Sequence, residues 1–195
     1  MSILIFCFFC YNKQSQNTLN ILNLLINFYM KHSLLILLFL ATSVSWSQSG
    51  SDYFDQALRK AENGNTKGAI VDYTKAIKLR ANFTEAYQNR GVAKFKLNDI
   101  KGALADFNKT IELDPMNADA FTGRANVNYK LKDFQAAIKD CTSSIALNPK
   151  DYIAYNLRGT CYTQVQDKKN ACKDFTKAIE LGSQSASKNK ATFCK

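Results

Sequence analysis

The chain has 195 residues and a formal charge of +10, from 26 Lys and Arg against 16 Asp and Glu. That length suits one or two ordinary domains, and the charge favours acidic partners through long-range attraction. The bases are spread along the chain without the long basic run that marks a nucleic-acid-binding arm, so no nucleic acid is expected as a partner. The one histidine, His32, lies in an amino-terminal segment that reads as removed on export. The rest of the chain then lacks the usual general base near neutral pH and the commonest nitrogen ligand for metals. No catalytic residue, metal site or cofactor is expected.

Residues 30–47 read MKHSLLILLFLATSVSWS. Lys31 and His32 form a short positive region, Leu34–Ala41 is unbroken and apolar, and Ser45 and Ser47 are placed for cleavage before Gln48. This is the layout of a secretory signal peptide. The apolar run is short for a membrane span, which needs about 20 apolar residues. No cysteine follows it closely to accept the lipid of a bacterial lipoprotein. Residues 1–29 fit poorly and read as an upstream extension, with translation starting at Met30. The rival reading keeps Met1 and makes Leu19–Val44 a membrane anchor, broken by Asn23, Asn27, Lys31 and His32. Cys7 and Cys10 sit in an apolar run without a second ligand pair, which is a weak basis for a metal site.

A 34-residue period runs from Gly50 to Ser185. Ala69, Ala103, Ala137 and Ala171 fall at one phase, Tyr73, Phe107, Cys141 and Phe175 four residues further on, and Tyr53, Tyr87, Phe121 and Tyr155 at another. Pro115 and Pro149 are 34 apart. Four repeats result: 50–83, 84–117, 118–151 and 152–185, with a cap over 186–195. Each repeat divides into two helical stripes. In the second, Tyr87, Arg90–Gly91, Lys94 and Leu97 share one face, and Ile100, Ala103, Leu104, Phe107 and Ile111 make the next stripe. Asp99 is placed to cap that second helix, as are Asn65, Asp133 and Asp167 in the other repeats. The prolines lie just past the second helix, where a missing amide proton costs least.

These residues resemble the tetratricopeptide repeat family, and with the signal segment the chain resembles an exported bacterial member. The family pattern appears as Tyr87, Arg90–Gly91, Ala103, Phe107, Thr110 and Pro115, and again as Tyr155, Arg158–Gly159, Tyr162, Ala171, Phe175 and Ala178. Departures are Gln56–Ala57 and Ala81 in the first repeat, Ala125 and Ser144 in the third, and Gly182–Ser183 closing the fourth. The resemblance implies an all-α, right-handed superhelical solenoid of four helix-turn-helix repeats with a short C-terminal capping helix. That cap is expected over Gln184–Cys194, with Ala186 and Phe193 inward. Gly91 is expected to face Ala103, and Gly159 to face Ala171, at close helix contacts. Phe107 and Phe175 would fill the spaces between neighbouring helices, and stacking would supply the stability.

Four cysteines follow the signal, an even number that suggests disulfides in an oxidising compartment. Four allow three pairings. Cys172 begins the last B helix and Cys194 ends the cap, so a bond there would stabilise the terminus by roughly 3 kcal/mol. Cys141 and Cys161 lie on stacked neighbours and are the second expected pair. Alternatively Cys141 fills the aromatic slot as a small core residue.

In the family, the inner face of the first helix lines a groove for peptides or helices. The matching positions are Phe54, Leu58 and Glu62; Gln88, Val92, Phe95 and Lys96; Thr122, Asn126, Tyr129 and Lys130; and Asn156, Thr160, Thr163 and Gln164. Phe95 and Tyr129 beside Lys96 and Lys130 suit apolar side chains next to an acidic segment. Chaperone-binding members carry a clamp of lysine, asparagine and arginine for a terminal carboxylate. Phe54, Leu58, Asp119 and Gly123 stand at clamp positions, so that mode is not expected. The expected role is a non-enzymatic, exported adaptor that binds protein segments; the alternative is a structural subunit of an envelope assembly.

Overall fold

The computed structural model describes residues 48–195. The extension 1–29, the signal segment 30–47 and the Cys7–Cys10 pair lie outside the described residues. Nine helices follow one another among those described: α1 (Gly50–Glu62), α2 (Thr66–Leu79), α3 (Thr84–Lys96), α4 (Ile100–Leu113), α5 (Ala118–Lys130), α6 (Phe134–Leu147), α7 (Tyr152–Gln164), α8 (Lys168–Glu180) and α9 (Gln184–Phe193). They pair as hairpins α1–α2, α3–α4, α5–α6 and α7–α8, each an A helix and a B helix. Each B helix packs on the next A helix, and α9 closes the row on α8. Consecutive A helices also meet directly, α3 with α5, α5 with α7 and α7 with α9. The fold is the all-α repeat solenoid expected from the sequence. No helix among the described residues is long and apolar enough to cross a membrane.

The turns explain why the period stays at 34. Each A helix runs into a residue with positive φ: Gly64 (78°), Asn98 (63°), Lys132 (64°) and Gln166 (60°). The next residue donates its N–H to the carbonyl five residues earlier, as Asp99 does to Lys94 at 2.9 Å, which satisfies a carbonyl the helix end leaves open. The side chain of that residue then caps the B helix. Asn65, Asp99, Asp133 and Asp167 accept from the N–H of Gly68, Gly102, Ala136 and Asn170 at 2.9–3.1 Å. At the other end, Asp114 and Asn148 are extended, as the residue before a proline must be, and stop α4 and α6 before Pro115 and Pro149.

Four clusters form the core, and each joins a hairpin to the next A helix. The first holds Ala57, Ala69, Tyr73 and Ala76 with Phe83 and Ala86. The second holds Ala103 and Phe107 with Val127, the third Ala125, Ala137 and Cys141 with Cys161, and the fourth Ala171, Phe175 and Ala178 with Ala186. No hairpin encloses its own core, so stability comes from stacking.

The glycines serve the aromatic rings more than the alanines. A Cβ on Gly91 would meet Asp106 Cβ and the Phe107 ring at 3.3 Å, and one on Gly123 would stand 2.5 Å from Phe107 Cζ. Phe107 is thus seated on two glycines, one from its own repeat and one from the next. Asp106 and the Phe107 ring, more than Ala103, stand nearest to Gly91. At Gly159 a Cβ would meet the Phe175 ring at 2.8 Å and the Ala171 carbonyl at 3.2 Å, so there ring and helix approach both apply. In the third repeat Cys141 replaces the ring, and the two seats become Ala125 and Leu157, both packed in that cluster. A small residue in one place is matched by larger ones around it, which keeps the interior filled.

The cap departs from expectation at one residue. Ala186 is buried, but Phe193 is 43% exposed. The helix ends at Phe193, and the following Cys194 turns in to meet Cys172.

Candidate functional site: the exposed face of the A helices

The sequence-derived groove residues divide into those tied within the chain and those left open. One tie recurs at a 29-residue interval. Phe54 stacks on Phe83 with ring centroids 4.8 Å apart. Asn117 Nδ2 donates to Gln88 Oε1 at 3.0 Å. The Thr122 hydroxyl donates to Asp151 Oδ2 at 3.2 Å and lies 2.8 Å from Ser144 Oγ. Asn156 Nδ2 donates to Ser185 Oγ at 3.4 Å, and its Oδ1 accepts from Asn189 at 3.0 Å. In each repeat a residue of the A helix is thereby fastened to the chain entering the next one. Thr122 is buried outright. These four side chains close hairpins.

Further along each A helix the surface opens. Val92, Lys96, Lys130, Gln164 and Glu62 are exposed. Phe95 and Tyr129 are half-buried, Phe95 against the Phe107 cluster and Tyr129 with its ring 5.6 Å from Phe134. Leu58 packs into the first cluster. Asn126, half-buried, donates to the Thr122 carbonyl at 3.0 Å. Thr160 and Thr163 turn their hydroxyls back on the carbonyls of Asn156 and Thr160. The contiguous open face is therefore Val92, Phe95 and Lys96 on α3 with Asn126, Tyr129 and Lys130 on α5.

Beneath it lies a ladder that sequence reasoning missed. Arg90 grips Asp106 through Nε and Nη2 at 2.9 and 2.7 Å, Arg124 grips Asp140 at 3.0 and 2.7 Å, and Arg158 grips Asp174 at 2.7 and 2.9 Å. The remaining Nη1 of each reaches back one repeat, to Thr74, Asn108 and Thr142 at 2.9–3.1 Å. Each guanidinium also lies over the ring of Tyr87, Phe121 or Tyr155, 5.4–5.6 Å from its centre. One side chain thus joins an A helix, its B helix and the B helix before. The planar fork suits this two-point grip, which a lysine could not reproduce. For Arg158, burial works against the charge, but the hydrogen bond and charge of Asp174 outweigh it and raise its pKa. The signal was present as Arg and Asp recurring together at a 16-residue offset in three successive repeats.

Cys172 and Cys194 are bonded, with Cα atoms 5.7 Å apart. Cys141 and Cys161 are free and buried in one cluster, which corrects the expected second disulfide in favour of Cys141 as a small core residue. Burial, with the neighbouring Cys161, raises the Cys141 pKa, and burial pushes Cys161 up to about 12. Neither is poised as a nucleophile. No group of three or more potential metal ligands occurs among the described residues. Two surface cavities occur at the C-terminal end. One of about 270 Å³ is lined by Thr163, Gln166, Lys168, Ala171 and Phe193. The other, of about 550 Å³, lies between Tyr155 and Arg158 on α7 and Lys173 and Lys177 on α8.

Three family models match: a TPR repeat over residues 93–132, and tetratricopeptide repeats over 118–151 and 152–182. The chain belongs to the tetratricopeptide repeat family. The first TPR hairpin precedes the matched span, yet it has the same helix order and turn geometry. Solved structures agree. The crystal structure of MamA is 26% identical, with a TM-score of 0.64 over 68% of this chain and 72% of that one. The first TPR of Spaghetti (RPAP3), bound to an HSP90 peptide, is 27% identical, with a TM-score of 0.56 over 57% and 90%. YrrB, a TPR protein with an unusual peptide-binding site, shares the fold at 23% identity and a TM-score of 0.61, over 67% and 68%. No curated protein matches the chain.

Proposed function

We propose that the protein is an exported adaptor that holds a segment of another protein on the concave face of its A helices, without bond chemistry. The observation that carries this reading is the open face on α3 and α5. Two half-buried rings, Phe95 and Tyr129, stand beside two exposed ammonium groups, Lys96 and Lys130, at the same step of consecutive repeats. Rings supply contact area at small entropic cost, and the lysines favour a partner with acidic residues. The peptide held by the Spaghetti TPR supports a peptide partner in general. The chaperone carboxylate clamp is a poor fit, because Phe54 is stacked on Phe83 and Tyr73, and Leu58, Asp119 and Gly123 offer no positive charge. Export rests on the segment 30–47, removed before Gln48.

The test is a pull-down with residues 48–195 as bait, repeated with Phe95→Ala and Tyr129→Ala together. Partners should be lost from the double variant while it stays folded with its helical content kept; its melting temperature should fall somewhat, because both rings also pack against core clusters. Retention of the same partners would defeat the reading. A single stoichiometric partner that survives both substitutions would instead favour a structural subunit of an envelope assembly.

A further inference from the structure

We infer that the cavity between α7, the start of α8 and the end of α9 is a separate subsite, built to take one apolar side chain of the bound acidic segment. This subsite rests on the proposed groove and adds a position and a spacing to it.

Three observations converge on this cavity. Thr163, in its wall, stands on α7 where Phe95 stands on α3 and Tyr129 on α5, each 34 residues from the next. The first repeat has Ala61 at this position, packed in its own cluster, so the rings stand on α3 and α5, and on α7 a hollow of about 270 Å³ lies beside Thr163. Phe193 forms another wall. In a helix otherwise polar (QSASKNKATF), it is the one aromatic, and it stands 43% exposed instead of entering the core. The neighbouring Cys194 is tied to Cys172 on α8, so a covalent bond holds that ring beside the hollow. Gln166 and Lys168 line its polar side, Ala171 and the Phe193 ring its apolar side, and Thr163 belongs to the A-helix positions proposed to hold the partner.

The charges set the rest of the occupant. Lys96 and Lys130 lie at the same step of α3 and α5 as Gln164 does on α7, next to the cavity. Packed helices stand about 10 Å apart, and an extended chain advances about 3.3 Å per residue. A segment crossing the A helices thus moves about three residues per repeat. Carboxylates facing Lys130 and Lys96 would lie three and six residues from the apolar side chain in the cavity.

Two labelled peptides test this: Glu-Ser-Ser-Glu-Ser-Ser-Leu flanked by Gly-Ser, and the same peptide with Ser for Leu. Each is also made in reverse order, since the strand direction is open. With the oxidised protein, the Leu peptide of one order should bind roughly tenfold tighter than its Ser counterpart, as expected for burying one such side chain. Phe193→Ala should bring that ratio close to one, and Cys194→Ser should do the same. Lys96→Ala with Lys130→Ala should weaken both peptides and keep the ratio. If Phe193→Ala leaves the ratio unchanged, the cavity is not the subsite, while the groove reading stands. If neither peptide binds in either order, both readings fail. If the protein alone self-associates in sedimentation and Phe193→Ala abolishes this, the cavity belongs to a second copy and the inference is overturned.

Discussion

The first repeat and the three after it share backbone geometry and differ in what fastens them. In repeats two to four, an arginine with no free nitrogen to spare joins three helices through a buried aspartate. In repeat one the corresponding residue is Gln56, and Asp72 is served by Lys60 and Lys75. The cause is positional. No B helix precedes α1 among the described residues to accept the third nitrogen of an arginine. Its hairpin is closed by packing instead, with Phe54 against Tyr73 and Phe83 and Arg80 over the Phe83 ring at 4.4 Å. The same fold step is reached by aromatic packing at an end and by shared charge in the middle. The arginine therefore belongs to the junction between repeats more than to the repeat.

The largest expected effect tests that contrast. Asp106→Ala leaves Arg90 and Lys94, 14% and 18% exposed, without a carboxylate to balance their charges, and should cost about 3–5 kcal/mol. Asp72→Ala leaves lysines that are 41% and 49% exposed and can turn to water; the loss should be about 1 kcal/mol. Denaturant midpoints measured side by side decide it, and equal losses would erase the distinction between end and middle.

Overpacking comes next. Gly123→Ala forces a Cβ into the Phe107 ring and should cost about 1–3 kcal/mol, with Gly91→Ala costing less. Adding Phe107→Leu to Gly123→Ala should recover part of the loss, as the Cys141–Leu157 pairing in repeat three suggests. If the combined variant is no better than the sum of its parts, the ring does not explain the glycine.

Reduction of Cys172–Cys194 should act at one end only. On loop entropy the bond is worth about 3 kcal/mol, and its loss should raise hydrogen exchange over residues 184–193 while α2 and α3 stay protected. Fraying that reaches α3 would mean the stack is one cooperative unit. The smallest effect concerns the A–B turns. Gly64 already carries the positive φ, whereas Lys132 adopts it at 64° with a side chain. Lys132→Gly should gain up to about 1 kcal/mol and Gly64→Ala lose a similar amount; melting temperatures moving the opposite way would refute the turn argument.

Much of this fold is legible in the sequence because packing residues recur in phase. Ala103 and Phe107 announce one hairpin, and their counterparts 34 residues either side announce the rest. The caps are legible too, since Asp99 and its equivalents act through local backbone. What escaped was long-range pairing. Periodicity locates Arg90 on a face but does not say that its partner is Asp106, because a helical stripe records burial and not which polar groups meet. The same limit holds for the groove. Phe54, Gln88, Thr122 and Asn156 lie on the right face, yet each is fastened to a residue 29 positions on, which only the folded hairpin brings near. Phe193 reads as a core residue by its hydrophobicity, and the bond at Cys194 holds it at the surface.

The central claim is that partners are held on the A-helix face. A photo-crosslinking residue placed in turn at Lys130 on α5 and at Lys139 on the exposed side of α6 tests it directly. The account predicts adducts with partner protein from position 130, abolished by Phe95→Ala with Tyr129→Ala, and none from position 139. Adducts from position 139 alone would contradict it.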